Sequence, residues 1–308
     1  MSRGIQDATL IGMDIVPQLL VNAIITGSIY ALVAVGFSLT YGVLKILNFA
    51  HGHLMMTGAY LFYFFTVESA LSVPMAALAT CAATLVIALL TLLIFVNPFD
   101  RYSPMLPLVT TLALATILES CVSMIFGVNV KALDSGSSAE SIQFGSVFIT
   151  PLQVVIAVTA LMMLVLIAFL MHSTSFGRRV RAMSERLAAA QALAINSPAM
   201  KGLVFTLGTV LSVYAGIMIG YETNLQPTMG HGYTMKALAA MILGGLGNLW
   251  GTILGCYTLG VLENFAVGLD FGAYSLPAGY KDAFAYFIIL VVLLIRPEGL
   301  LSFRRRVA

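Results

Sequence analysis

Eight long apolar runs, at residues 16–43, 44–67, 73–96, 105–127, 151–171, 202–221, 235–267 and 283–295, leave this chain little choice of fold. Most reach the roughly 20 residues that carry a helix across about 30 Å of hydrocarbon. They lack the two-residue alternation of barrel strands, and lipid admits only helices or closed barrels because it satisfies no free backbone amide. With 60% hydrophobic and 9% charged residues and a mean hydropathy of +0.99, the chain lies far from soluble composition, where about a quarter of residues are charged. The sequence predicts an all-α integral membrane protein. It is one domain over residues 1–308, a polytopic bundle of about 8 to 10 transmembrane helices with one or two broken or re-entrant. Arg3, Asp7 and Asp14 precede a first run too long for a signal-peptide core, so no cleaved signal is expected. Cys81, Cys121 and Cys256 fall inside runs and are odd in number, which suits packing better than disulfides or a metal cluster.

Charge gives the orientation. The segment 172–201 holds Arg178, Arg179, Arg181, Arg186 and Lys201 against Glu185, and the tail holds Arg296, Arg304, Arg305 and Arg306 against Glu298. These are nine of the fifteen basic residues, and the positive-inside rule puts both segments, and the C-terminus, in the cytoplasm. The loops around Asp134 and Glu140 and around Asp270 and Asp282 are acidic or balanced, as suits the outside. A chain that leaves the cytoplasm after Lys201 and returns by Arg296 must cross an even number of times, yet only three runs lie between. One run must therefore hide a reversal. The run 235–267 is too long for one plain span and contains Gly244, Gly245, Gly247 and Asn248, with Gly251 and Gly255 behind; glycines this dense weaken a helix and permit turns. A similar break is expected at 47–53, where Asn48, His51, Gly52 and His53 interrupt apolar sequence. Asn48, Gly52, Gly58 and Tyr60 loosely echo Asn248, Gly251, Gly255 and Tyr257, as an internal repeat with two discontinuous helices would. The side of the N-terminus depends on how this early break is counted and stays open.

Candidate sites follow from side chains that are expensive at membrane depth. Asn48, His51, Gly52, Glu119, Gly244, Gly245, Gly247, Asn248 and Glu263 are expected along a translocation pathway. His51 and His53, two apart, point to different helix faces and do not chelate one ion; His51 either contacts substrate or bonds a carbonyl freed by the break. Glu119 and Glu263 lie within spans, where an unpaired charge costs roughly 2.5–3.5 kcal/mol, so each is either functional or, as favoured here, a cap on freed backbone. Gly27 with Ala31, Gly208 with Ser212 and Gly216, and Gly251 with Gly255 are helix-packing signals, and the Met and aromatic stripe at 55–65 faces lipid or protein. No nucleotide-cradling loop, zinc-protease motif or nucleophile elbow is present, and no large soluble surface for nucleic acid. No catalytic residue, metal site or bound cofactor is therefore expected, and uphill work needs another chain or an ion gradient.

From Ser184 to Asn196 the composition is helix-forming, with Met183, Leu187, Ala190 and Ala194 as one apolar stripe. Asn196-Ser197-Pro198 ends it, with Ser197 placed to cap the next helix and Pro198 at its first position. Such a helix either lies on anionic lipid through its arginines or docks another protein.

The residues Gly27-Ser-Ile-Tyr-Ala-Leu-Val-Ala-Val-Gly-Phe-Ser-Leu-Thr-Tyr-Gly42 and Leu47-Asn-Phe-Ala-His-Gly-His-Leu-Met-Met-Thr-Gly-Ala-Tyr60 closely resemble the H-type permeases of the branched-chain (leucine/isoleucine/valine) amino-acid ABC importers. Gln226-Pro-Thr-Met-Gly230, Lys236-Ala-Leu-Ala-Ala-Met-Ile-Leu-Gly-Gly-Leu-Gly-Asn248 and Arg296-Pro-Glu-Gly-Leu-Leu301 extend the match over nearly the whole chain. The resemblance implies a pore subunit of the bacterial inner membrane working by alternating access. Its implied partners are a related second permease, two cytoplasmic ATPases that use ATP and Mg, and a periplasmic or extracellular substrate-binding protein. It also implies that Glu185, Arg186, Leu187, Ala190, Ala194, Ile195 and Asn196 form the ATPase-coupling segment. The family commonly has glycine where Ala194 stands, so the turn is expected to be more helical here. Relatives are thought to carry urea, short amides, other amino acids or aromatic acids; Phe49 places Asn48–Gly52 nearer the amino-acid branch than the urea branch. A self-sufficient secondary transporter using Glu119 or Glu263, and an intramembrane enzyme built on His51, His53 and Glu119, are the rival readings.

Overall fold

Prolines and short polar caps set where the helices begin. Thr150 accepts a bond from Gln153 N while Gln153 Oε1 accepts from Thr150 N, a reciprocal cap that starts one helix at Pro151. Asn196 Oδ1 accepts from Ala199 N and starts another at Ser197. The cap is thus Asn196; Ser197, expected in that role, is already helical, because the asparagine oxygen one residue earlier reaches the free amide first. The computed structural model describes residues 2–100, 102–103, 105–133, 141–268, 280–296 and 299. The acids Asp134, Glu140, Asp270 and Glu298 and the tail arginines Arg304, Arg305 and Arg306 lie outside the described residues.

The helices are α1 (Ser2–Leu44), α2 (His51–Tyr63), α3 (Val73–Thr91), α4 (Asn97–Asp100), α5 (Leu106–Phe126), α6 (Pro151–Ser173), α7 (Ser175–Glu185), α8 (Leu187–Ala192), α9 (Ser197–Glu222), α10 (Met229–Gly244), α11 (Leu249–Gly268) and α12 (Lys281–Ile295). Wider π-turns extend α2 over Phe64–Glu68 and join α3 to α4 over Leu92–Val96. Two three-residue strands, β1 (Ile142–Phe144) and β2 (Val147–Ile149), pair antiparallel outside the bundle, and a single antiparallel bridge joins Lys131 to Leu225. Among the described residues five segments are long and apolar enough to cross a bilayer alone, and α10 and α11 pass that test only together, bent by 117° at their break.

α1 is the central post. In its most apolar stretch 72% of residues are buried and in that of α9 67%, against 22% in α5 and 28% in α6, so the latter two hold the rim. Glycine lets neighbours reach the post: a Cβ at Gly36 would strike the Gly208 carbonyl, and one at Gly27 would meet Tyr257 at 2.8 Å. The small-residue spacings read from the sequence are therefore packing seams. Met55, Met56, Tyr60 and Phe62 are buried in protein, whereas Phe64 is exposed.

Contacts at the two ends fix relative orientation. Gln18, early in α1, pairs with the backbone of Phe148 through both its amide atoms (3.1 and 2.7 Å), as a strand would. Beside that hairpin α6 begins, and it runs about 35 Å to α7 at the far end. The start of the first span and α7 thus lie at opposite ends of the bundle. At the α7 end, Lys201 pairs with Asp100 at 3.0 Å, Gly247 abuts Gly42, and Gly299 packs on Gly245. α9, α10, α11 and α12 therefore take the chain from Lys201 away and back to Arg296, with the reversal at Gly245–Asn248. This is the hidden turn that parity required.

Candidate functional site

Two breaks expose backbone inside this bundle, and each is built by an asparagine and by glycine. After Leu44 the chain leaves α1 with Lys45 at φ 57°, runs without helix through Asn48, and restarts at His51. Asn48 Oδ1 accepts from Ala50 N at 3.1 Å, while its buried Nδ2 has no partner among the described residues. His51 Nε2 lies 3.1 Å from the Val33 carbonyl oxygen and its ring stacks on Phe37 at 5.2 Å. Since Val33 sits three turns inside α1, His51 is deep in the bundle, and the carbonyl it meets belongs to that intact helix, not to the break. Gly52 N donates to Thr234 Oγ1 at 3.1 Å, and a Cβ there would run into the Gly230 carbonyl. Only glycine lets α2 begin this close to α10.

The second break is the turn between α10 and α11. Gly245 has φ 108° and Gly247 φ 77°, conformations that side chains with a Cβ resist. Asn248 Oδ1 accepts from Gly251 N at 3.3 Å and caps the start of α11, whereas Asn48 Oδ1 bonds Ala50 N in the turn before α2, whose own cap residue, Ala50, makes no side-chain bond. Gly244 and Gly251 face one another so closely that a Cβ on either would strike the other's carbonyl. The two asparagine segments thus share a residue type and a break, but not the same capping bond.

Both membrane acids have side-chain partners, in place of the backbone caps expected of them. Glu119 Oε2, on half-exposed α5, lies 3.2 Å from His53 Nε2. Glu263, with no exposed surface, accepts from Tyr30 Oη at 2.7 Å and pairs with Lys236 Nζ at 3.3 Å. Lys236 also reaches Asp282 Oδ1 at 2.8 Å and lies over the Tyr30 ring. His51 and His53 turn to different helices, α1 and α5, so the grouping of His51, His53 and Glu119 is not formed as one cluster. Among the described residues no three His, Cys, Asp or Glu side chains are placed to hold a metal.

At the arginine-rich end, α7 turns under α6, where Arg181 Nη1 donates to the Met171 carbonyl. The single helix expected from Ser184 to Asn196 is broken: Arg186 is extended (φ −148°, ψ 106°), and α8 ends with Ile195 N donating to Ala190 O and Ala194 N to Gln191 O. That pair of bonds is a Schellman termination, with Ala194 in the left-handed position at φ 57°. Alanine therefore takes the conformation glycine would, at a cost of about 1–2 kcal/mol, and the turn is not more helical. The expected stripe divides as well. Met183 and Ala190 are buried against the bundle, while Glu185, Arg186, Leu187, Ala194 and Asn196 are exposed and Leu193 is 75% exposed. Ala190 and, in part, Ile195 are thus foundations of this segment rather than its outward surface.

The model of the "Branched-chain amino acid transport system / permease component" family matches residues 19–293. The chain belongs to this permease family. It is 30% identical to the high-affinity branched-chain amino acid transport system permease protein BraD of Pseudomonas aeruginosa over 302 residues, 92% of this chain and 95% of that one. It is 31% identical to the LivH permease protein of Salmonella typhimurium over 299 residues, with the same coverage. A shorter match, 32% over 140 residues, covers 43% of this chain and 38% of the autoinducer 2 import system permease protein LsrC of Yersinia enterocolitica. Among solved structures, PsaBC from Streptococcus pneumoniae in complex with Fab superposes with a TM-score of 0.51 at 14% identity, covering 92% of each chain. That likeness shows the fold.

In this permease, Lys236, Tyr30 and Asp282 belong to a buried polar network with Glu263 that sequence reasoning passed over. The signal was present: Lys236 and Glu263 share the run 235–267, and opposite charges that are each expensive in a span call for pairing. Tyr30 had no signal of its own, since only the fold lays α1 beside that pair.

Proposed function

We propose that this permease is the pore subunit of an ATP-driven importer for branched-chain or related amino acids in the bacterial inner membrane, with α7, α8 and its C-terminus in the cytoplasm. It works with a related second permease, two ATPases that use ATP and Mg, and an external substrate-binding protein. The observation that carries the reading is the exposed α8 turn at the arginine-rich end. It is a small-residue projection tipped by Leu193, anchored through Met183 and Ala190, as a docking element for a motor subunit would be. The positive-inside rule supports its cytoplasmic side and, with it, an outside start for α1.

Movement of that element has a short path to the interior. A cavity of about 340 Å³ behind it is lined by Glu185 and Leu187 on one side and by Lys45 and Ile46, the link into α2, on another. In alternating access, ATP closes the ATPases, α7 and α8 follow, and the link shifts the start of α2 around His51 and Gly52. Glu119 supports a second permease as neighbour: its side chain is 35% exposed among the exposed apolar residues of α5, where facing lipid would cost about 2.5–3.5 kcal/mol. Deleting Glu185 to Ile195 is expected to release the ATPases while the chain still inserts. Co-purification of the ATPases with the deleted chain at wild-type yield would refute docking through this segment.

A further inference from the structure

Between the end of α9 and the starts of α10 and α12 lies a cavity of about 250 Å³, lined by Ile219, Asn224, Gln226, Met229 and Tyr233, with Lys236 and Asp282 among the residues that complete its wall. Lys236 is 13% exposed at its side chain and is tethered from within by Glu263 at 3.3 Å and by Tyr30 Oη at 2.9 Å. Asp282, on the first turn of α12, is 52% exposed and reaches Lys236 from the opposite wall at 2.8 Å. One partner of the ammonium is thus fixed and buried, and the other sits on a different helix, near solvent.

We propose that this cavity binds the zwitterionic head of a free amino acid, whose carboxylate takes the place of Asp282 on Lys236 Nζ and whose ammonium pairs with the Asp282 carboxylate so released. The inference rests on the amino-acid reading of the importer and assigns a site to it. Its physics is charge alternation. With the ligand in place the order is Glu263, Lys236, ligand carboxylate, ligand ammonium, Asp282, so every charge has neighbours of opposite sign. Exchanging one ion pair for two leaves the total charge of the site unchanged. A simple carboxylate would set three anions around one ammonium, and a simple amine would leave the Lys236–Asp282 pair either intact or half broken. The alternation therefore selects zwitterions over both. Ile219 and Met229 supply apolar wall for an aliphatic side chain, while Asn224, Gln226 and Tyr233 supply polar atoms. The volume lies just below the roughly 300 Å³ at which sites for drug-sized ligands begin, which suits a solute of amino-acid size.

The test is equilibrium binding of labelled leucine to the assembled transporter in lipid nanodiscs, without its substrate-binding protein. Leucine should bind, while leucinamide, lacking the carboxylate, and 4-methylpentanoate, lacking the ammonium, should compete about tenfold more weakly or worse, as a lost charge-assisted bond requires. Asp282→Asn should weaken leucine by a similar factor, and Asp282→Glu should restore most of it, which separates lost charge from lost fold. No leucine binding at millimolar concentration, equal competition by either analogue, or unchanged affinity in Asp282→Asn would each overturn the proposal. ATP-driven leucine uptake by the wild-type importer with its binding protein is measured alongside. Its absence refutes the amino-acid reading itself, whereas its presence with any of the three adverse binding results refutes this cavity alone.

Discussion

At the scale of single residues, buried charge is the sharpest constraint in this permease. Glu263 has no exposed surface, and Lys236 is its charged partner at 3.3 Å. Removing one member of a buried pair leaves the other uncompensated, at a cost of about 3–5 kcal/mol, whereas replacing both with apolar groups is often nearly neutral. Lys236→Met should therefore lower the unfolding midpoint in detergent sharply, and Lys236→Met with Glu263→Met should recover most of the loss. Equal destabilisation by the single and double variants would show that the two side chains are not coupled. Ala194 shows what residue identity alone conceals: alanine has good helix propensity, but the bonds from Ile195 to Ala190 and from Ala194 to Gln191 hold it left-handed. His51 was legible as a polar group that must find a carbonyl, but not as one that would find it on α1.

At the scale of elements, the breaks carry the design. Gly245 at φ 108° makes the turn between α10 and α11, and the contact of Gly244 with Gly251 closes the pair behind it. Val165 lies on the plain span α6 and is 59% exposed. An aspartate at Gly245 should abolish uptake per inserted molecule, and one at Val165 should reduce it less once normalised to protein in the membrane. Equal loss at both positions would remove the distinction between reversal and span. Glycine density and parity make this reversal readable in the sequence. The division of the arginine-rich segment's helix at Arg186 was not readable, because helix-forming composition continues on both sides and only the packing of Met183 and Ala190 decides which faces turn inward.

At the scale of the whole molecule, the acids in the membrane decide between energy sources. A proton-driven transporter that used one of these acids would need it to gain and lose a proton in each cycle, and Glu119, 35% exposed beside His53, is more accessible than the buried Glu263. The importer reading expects Glu119→Gln to keep uptake dependent on ATP and unaffected by a protonophore in proteoliposomes. Loss of uptake with ATP hydrolysis and its coupling to the binding protein intact would favour the gradient instead. The exposed apolar residues of α5 and α6 form a rim, and Glu119, 35% exposed at its side chain and paired with His53, is an acid within it.

By itself the sequence determined that this chain is a helical membrane protein, where a reversal must fall, which segment is basic and displayed, and which family it resembles. Those properties depend on local quantities: run length against bilayer thickness, glycine density, and charge counted along the chain. Tertiary structure alone decided that His51 meets Val33, that Tyr30, Lys236, Glu263 and Asp282 converge from four helices, and that the start of α1 lies opposite α7. Each of these joins residues far apart in sequence. No periodicity encodes such pairs, because they follow from how glycine seams let α1, α9, α10 and α11 approach one another.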